Sequence, residues 1–204
     1  MSGRLAHEVR IIGGHWKRSK LPVADKPGLR PTPDRVRETL FNWLGQDLSG
    51  WRCLDAFAGS GALGFEAASR GATEVLLLER DADLVDRLQV SKQRLKADAL
   101  RIERAEALAW MARARGDSFD LVFIDPPFDS ALAEAALPLA TALMAENGLI
   151  YVESRQALPA APEGWRVHRQ GRAGAVHFHL LRRADDEGYT AAQSSPSAPR
   201  RTEP

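Results

Sequence analysis

The chain has 204 residues and a single cysteine, Cys53, set in an apolar stretch. With no second thiol there is no disulfide framework and no cysteine-based metal cluster, and a reducing cytoplasm is the compartment that fits such usage. Long hydrophobic runs are missing as well. No stretch reaches the roughly 18 consecutive apolar residues of a membrane span, and the start, Met-Ser-Gly-Arg-Leu-Ala-His-Glu, lacks the apolar core of a signal peptide. A soluble, cytoplasmic protein is therefore expected. Nor is there an excess of either charge, since the formal net charge is +1. Its distribution is nevertheless uneven. Residues 1–44 carry nine Lys or Arg (Arg4, Arg10, Lys17, Arg18, Lys20, Lys26, Arg30, Arg35, Arg37) against four acids (Glu8, Asp25, Asp34, Glu38), a local +5 that leaves −4 for the remainder. Such asymmetry points to a nucleic-acid contact surface, with a solvated basic face as the ordinary alternative.

What is present suffices for a full core. Hydrophobic residues make up 44% of the chain, enough for one globular enzyme unit at this length. Val9 to Trp16 and Lys20 to Val23 read as two short strands around a Lys17-Arg18-Ser19 turn, with Gly13-Gly14 as an alternative turn or bulge. Thr32 is placed as an N-cap with Pro33 at the first helical position. Val36, Leu40, Trp43 and Leu44 recur at helical spacing, which predicts one buried face and leaves Arg35 and Arg37 elsewhere. An alternating series follows: strand 51–57, helix 61–71, strand 74–79, helix 82–97, strand 100–104, helix 106–115, strand 119–125, helix 130–145 and strand 148–153. This alternation predicts a parallel sheet covered on both faces. Strands near 165–169 and 175–182, joined by Gly171-Arg172-Ala173-Gly174, should form an antiparallel hairpin at its edge. From about residue 184 the composition turns to Asp, Glu, Ser, Pro, Thr and Arg, which predicts a disordered tail. The expected organisation is thus a basic extension over 1–45, a catalytic domain over 46–183 and a tail over 184–204.

Two segments carry chemistry. Residues 53–64 run from an apolar strand into a loop in which Gly59, Gly61 and Gly64 satisfy G-x-G-x-x-G, and Glu79 ends the next strand 20 residues after Gly59. That spacing suits a nucleoside cofactor whose ribose hydroxyls meet the carboxylate. The glycines alone allow either NAD or S-adenosylmethionine. Asp55, an acid just ahead of the loop, favours the cofactor without phosphates, because a pyrophosphate there would be repelled. The second segment ends a buried strand in Asp125-Pro126-Pro127-Phe128. Neither proline offers an N–H, so the turn presents acceptors only, beside an aromatic ring. A planar, donor-rich amine such as that of a nucleobase fits. Hydrogen bonds to Asp125 and to the Pro126 carbonyl would pyramidalise the amine and aim its lone pair, after which Asp125 could take the proton.

Arg10-Ile-Ile-Gly-Gly, Leu29-Arg-Pro-Thr-Pro-Asp-Arg-Val-Arg-Glu-Thr-Leu-Phe-Asn-Trp-Leu44, Asp55-Ala-Phe-Ala-Gly-Ser-Gly-Ala-Leu-Gly64, Asp125-Pro-Pro-Phe128 and Ile150-Tyr-Val-Glu-Ser154 closely resemble the RsmD-type family of bacterial ribosomal RNA methyltransferases, over about residues 10–183. The stretch from Leu29 is the most specific of these. The resemblance implies a Rossmann-like class I methyltransferase fold with a seven-stranded sheet, S-adenosylmethionine as donor, and the N2 amine of one guanine in small-subunit (16S) ribosomal RNA as acceptor. It places the catalytic turn at Asp125, Pro126, Pro127 and Phe128. Asp55, Phe57, Gly59, Gly61, Gly64, Glu79, Arg80, Glu106, Ala107 and Asp125 would hold the cofactor, with Glu106 standing where the family usually has Asp or Asn near the adenine. The RNA, free or in an assembling small subunit, would meet Arg10, Lys17, Arg18, Lys20, Arg30, Arg35 and Arg37, and the enzyme would act as a monomer.

Three rival functions are compatible with parts of the chain. An adenine-N6 methyltransferase would use the same acceptor geometry. A nicotinamide-dependent oxidoreductase would explain the glycine loop, and an inactive RNA-binding protein the basic segment. His177 and His179 alternate on one strand face and could ligate a metal, but no acid or cysteine lies near them in sequence, and none is expected. Trp16 and Trp43 could stack on bases, although Trp43 lies on an apolar helix face. Glu153, a strand-end acid, reads as a capping or surface residue.

Overall fold

The computed structural model describes residues 8–26, 32–114, 119–127 and 131–184. Arg30, Phe128 and the expected tail beyond residue 184 lie outside them.

Seven strands form one sheet in the order β5-β4-β3-β6-β7-β9-β8. The central strands β3 (Arg52–Asp55), β4 (Glu74–Glu79), β5 (Leu100–Arg104), β6 (Phe119–Ile124) and β7 (Met144–Ser154) are parallel, while β9 (Val176–Arg183) runs antiparallel to both β7 and β8 (Trp165–Ala173). Strands buried on both faces need no polar alternation, which is why Phe119 to Ile124 is nearly all apolar. Successive residues still feed opposite faces. Cys53, Leu121, Phe123, Tyr151 and Phe178 belong to one core with the helices α2 (Ala62–Ser69) and α3 (Ala82–Leu95). Leu54, Val122, Ile124, Ile150 and Leu181 belong to the other, under α4 (Ala107–Arg113) and α5 (Leu132–Thr141).

The N-terminal segment completes the first of these cores. Its two strands, β1 (Glu8–Arg10) and β2 (Lys20–Pro22), pair through Val9 and Leu21, both buried. They are shorter than the hydrophobic pattern suggests: Ile11 still exchanges hydrogen bonds with Ser19 and Arg18 across the hairpin, but the residues after it bond to α2. Ile12 N–H and Gly13 N–H donate to the Glu66 carboxylate at 2.8 Å each, and His15 N–H donates to the Ser69 carbonyl at 2.6 Å. Gly14 makes this approach possible: it sits at φ +70°, and a Cβ there would fall 1.8 Å from the Ser69 carbonyl oxygen. The following helix, α1 (Asp34–Trp43), buries Val36, Leu40 and Phe41. Phe41 lies 6.3 Å from Phe123 and Trp43 lies 5.3 Å from Phe178, ring centre to ring centre. This helix therefore roofs the β6, β7 and β9 half of the sheet.

Three local expectations are corrected. Pro33, not Thr32, precedes α1, and no side chain caps the helix, because the Thr32 hydroxyl is turned toward Asp125. The last helix before the hairpin stops at Thr141, and β7 begins already at Met144, with a register shift against β6 that lengthens the strand. Gly171 and Arg172 belong to β8, so the hairpin turn is confined to Gly174 and Ala175 between the paired Ala173 and Val176.

Candidate active site

Strand order reverses between β3 and β6, and a crevice opens at the carboxyl ends of these strands, where open α/β sheets bind ligands. Its first wall is the glycine loop after β3. Gly59 and Gly61 adopt left-handed φ of 52° and 79°, so the chain turns sharply into α2. Gly64 brings α2 against the strand: its N–H donates to Asp55 Oδ2 at 3.0 Å, and a Cβ there would press on Leu77 at 2.9 Å. Burial pushes the Asp55 carboxyl up to about 7, against the pull of the Gly64 N–H and with a further push from the Asp125 and Glu79 charges.

Glu79 ends β4 and ties two loops together. Its Oε2 accepts from Gly59 N–H and its Oε1 from Asp81 N–H, both at 2.9 Å. Asp81 caps α3 by accepting from Asp83 and Leu84 N–H, and it also receives the Lys26 ammonium at 2.6 Å. Hydrogen bonding to Lys26 holds the Asp81 carboxyl below its usual range and raises the Lys26 ammonium in turn. Glu106 caps α4, accepting from Leu108 N–H at 3.2 Å and Ala109 N–H at 2.7 Å. The extra methylene of Glu relative to Asp is taken up in that cap.

At the end of β6 stands Asp125, half-buried, with Pro126 buried behind it and Pro127 exposed. Thr32 Oγ1 donates to Asp125 Oδ2 at 2.8 Å. Burial pushes the Asp125 carboxyl up to about 6, opposed by that hydroxyl. Beside it on β7, Glu153 is only 2% exposed and accepts from the Tyr151 hydroxyl at 2.7 Å. The surface role expected for Glu153 is therefore corrected. Burial, then the Asp125 charge, holds its carboxyl well above the usual range.

Thr32, Asp55, Glu79, Asp81, Glu106 and Asp125 share one cavity of about 200 Å³, which Glu153 does not line. Asp55, Phe57, Gly59, Glu79 and Arg80 line it from the first two strands, Glu106 and Ala107 from the third, and Asp125, Pro126 and Pro127 from β6. Gly61 and Gly64 stand behind the wall and shape it. Its charged lining is Asp55, Glu79, Asp81, Glu106 and Asp125 against Lys26 and Arg80. An acid-rich pocket suits a cationic, phosphate-free nucleoside and opposes a pyrophosphate, so the donor set fits S-adenosylmethionine.

The basic segment divides. Arg10, Lys17, Arg18, Lys20 and Arg35 are exposed, Lys20 with a 2.7 Å ion pair to Glu8. Arg37 is not available to RNA: its side chain is fully buried, donating to Asp34 at 2.5 Å, to Glu66 at 3.3 Å and to the carbonyls of Arg10 and Thr32. Lys17 and Arg18 flank the loop held at Ser69, at the end of α2 farthest from the glycine loop and roughly 10 Å from it at 1.5 Å per residue. Arg35, in the first turn of α1, follows the cavity-lining Thr32 by three residues. His179 is buried and His177 half-buried, and among the described residues no group of three His, Cys, Asp or Glu could hold a metal.

Sequence reading missed Lys26, Thr32, Glu66 and Glu153. Each acts through a partner far along the chain, 93 residues away for Thr32 and Asp125. The one available signal was the length of the specific motif from Leu29 to Leu44, which is longer than a helix start requires.

Residues 9–182 match the family described as Conserved hypothetical protein 95. The chain belongs to this family. Similar curated members include ribosomal RNA small subunit methyltransferase D of Escherichia coli, 46% identical with 86% of this chain and 90% of that protein covered, and the protein of the same name from Haemophilus influenzae, 44% identical over 85% and 93%. Among solved structures of the fold, a putative methyltransferase from Escherichia coli superposes with a TM-score of 0.77 at 44% identity, covering 87% of this chain and 98% of that one. A putative methylase from Haemophilus influenzae follows at 0.75 and 39%, covering 87% and 99%. The family member described here shares with them the seven-stranded class I methyltransferase architecture. No helix among its described residues is long and apolar enough to cross a membrane.

Proposed function

We propose that this enzyme transfers a methyl group from S-adenosylmethionine to the exocyclic N2 of a guanine in 16S ribosomal RNA. The observation that carries the reading is the Asp125-Pro126-Pro127 turn at the edge of an acid-lined nucleoside cavity, in a chain of the methyltransferase family. When bound, S-adenosylmethionine supplies the electrophilic methyl group. Glu79 would accept the ribose hydroxyls, and the glycine loop would pack against the methionine portion. The acidic lining favours the cofactor's positive charge. Asp125 would accept a hydrogen bond from the guanine amine, hold its lone pair toward the methyl group and take the proton released on transfer, which is catalysis by positioning and electrostatics. The base must leave its stack to reach that depth. The enzyme would work as a monomer in the cytoplasm, on RNA or on an assembling subunit.

The test uses small subunits from cells lacking this protein, incubated with enzyme and isotopically labelled S-adenosylmethionine, followed by nucleoside analysis. Label on guanine N2 at one site is expected, and Asp125→Ala should slow single-turnover transfer about 10²- to 10³-fold with S-adenosylhomocysteine affinity kept within a few fold. Label on adenine N6, or none, would overturn the assignment.

A further inference from the structure

Thr32 has one hydroxyl and two carboxyl neighbours. Its Oγ1 donates to Asp125 Oδ2 at 2.8 Å, and the same hydroxyl is within reach of the Glu153 carboxyl, which stands beside Asp125 across the β6–β7 pairing. A hydroxyl carries one proton, and Thr32 spends it on Asp125, so toward Glu153 it can only accept. The Glu153 carboxyl is enclosed by the sheet core, 2% exposed, with Tyr151 donating to its Oε1. Asp125 instead keeps an opening to the cavity. Charge belongs on the group that water and substrate can reach, because an enclosed carboxylate without a cation is costly. Arg37 is engaged elsewhere: it meets the Thr32 carbonyl, not the hydroxyl, and donates otherwise to Glu66, Asp34 and the Arg10 carbonyl.

We propose that Glu153 is a neutral carboxylic acid that fixes the direction of a hydrogen-bond chain, Tyr151 to Glu153 to Thr32 to Asp125, and so holds Asp125 ionised and oriented for the acceptor amine. Every donor in the chain has one acceptor. Tyr151 O–H meets the Glu153 carbonyl oxygen, Glu153 O–H meets Thr32 Oγ1, and Thr32 O–H meets Asp125 Oδ2. The chain ends in the core, so it is no exit for protons. The proton shed by the methylated amine rests on Asp125 and leaves through the cavity. Glu153 and Thr32 are positioning residues.

Other ionisable groups around the chain fit this assignment. Asp55 on β3 already feels the charges of Asp125 and of Glu79 on β4, and a charged Glu153 would add another acid beside Asp125. On β9, Phe178 faces Glu153, while His177 and His179 pair with Ser154 and Val152 on the other side of the sheet. The sign of the stability effect follows. A carboxyl raised in the fold contributes stability while protonated and loses it as pH climbs from the unfolded value, about 4.3 for Glu, toward the folded one.

The inference rests on the methyltransferase reading for its kinetic arm only. Glu153→Gln presents an amide donor to Thr32 and a carbonyl to Tyr151, whereas Glu153→Ala presents neither. The expected results are a loss of up to about 10²-fold in single-turnover rate for Glu153→Ala, recovered in large part by Glu153→Gln. Thr32→Val should move the acid limb of the rate profile to higher pH, because Asp125 loses its donor, and Thr32→Ser should restore it. Without substrate, the thermal midpoint of Glu153→Gln should fall less than that of the wild type between about pH 5 and 8. A midpoint profile identical to the wild type would mean that Glu153 is ionised and would overturn the proposal. So would Glu153→Gln being as slow as Glu153→Ala. A wild type inactive on guanine would sink the substrate reading and leave the midpoint comparison standing.

Discussion

Arg37 and Glu66 illustrate how a charged residue is judged by what surrounds it. Both side chains are fully buried, and each satisfies several partners. Glu66 accepts from Ile12, Gly13, Arg37 and Arg70, and Arg37 reaches the carbonyls on either side of the N-terminal crossing. Removing one member of a buried pair leaves the other uncompensated, at a cost of about 3–5 kcal/mol. Arg37→Ala should therefore lower the urea midpoint by that equivalent; a stable variant with weakened RNA binding would return Arg37 to the RNA surface. Asp125 gives a second test at this scale. Its carboxyl is raised by burial to about 6, and the basic form is lost as pH falls through that value. The single-turnover rate should fall tenfold per pH unit below about 6. A flat profile down to pH 5 would remove Asp125 as the proton acceptor. The acceptor turn and glycine loop were readable in sequence, because each is a contiguous string with its own backbone chemistry. Thr32 and Glu153 were not, since a hydroxyl before a helix and an acid at a strand end acquire meaning only from partners on other elements.

Elements were legible where a period ran long enough. The strands and helices from Arg52 to Arg104 fall where alternation placed them, but the first hairpin ends its pairing at Ile11, because Glu66 and Ser69 capture the N–H groups of Ile12, Gly13 and His15. The same capture separates the exposed cations into two sets. Lys17 and Arg18 sit at the far end of α2, whereas Arg35 lies in the first turn of α1, three residues after the cavity-lining Thr32. Each phosphate contact removed should reduce the salt slope of log affinity by about 0.7 on single-stranded RNA. Arg35→Ala should show that change; Lys17→Ala with Arg18→Ala shows it only if the RNA reaches around α2. Unchanged affinity and slope in all three would place the RNA surface elsewhere.

At the level of the whole molecule, the acid-lined cavity is a property of the complete fold. Its lining comes from β3, β4, β6 and the turn before α4, together with Lys26 and Thr32 of the N-terminal segment. S-adenosylhomocysteine at 100 times its dissociation constant should stabilise the protein by about 2.7 kcal/mol, visible as a raised thermal midpoint, and NAD should not. A rise with NAD alone would reverse the cofactor assignment. The division into extension and catalytic domain that composition suggests becomes, in space, a shared core: α1 packs on Phe123 and Phe178, and Lys26 and Thr32 line the same cavity as Asp125.

The roof formed by α1 makes the N-terminal segment a poor candidate for exchange. A recognition module that is merely tethered can be swapped between enzymes to redirect them, because nothing in the catalytic part depends on it. Here a replacement would have to supply a hydroxyl for Asp125, an ammonium for Asp81, a buried guanidinium for Glu66 and the apolar face above β6. An exchange at the segment boundary therefore has to carry all four of these groups with it, whereas a change to a single exposed side chain does not.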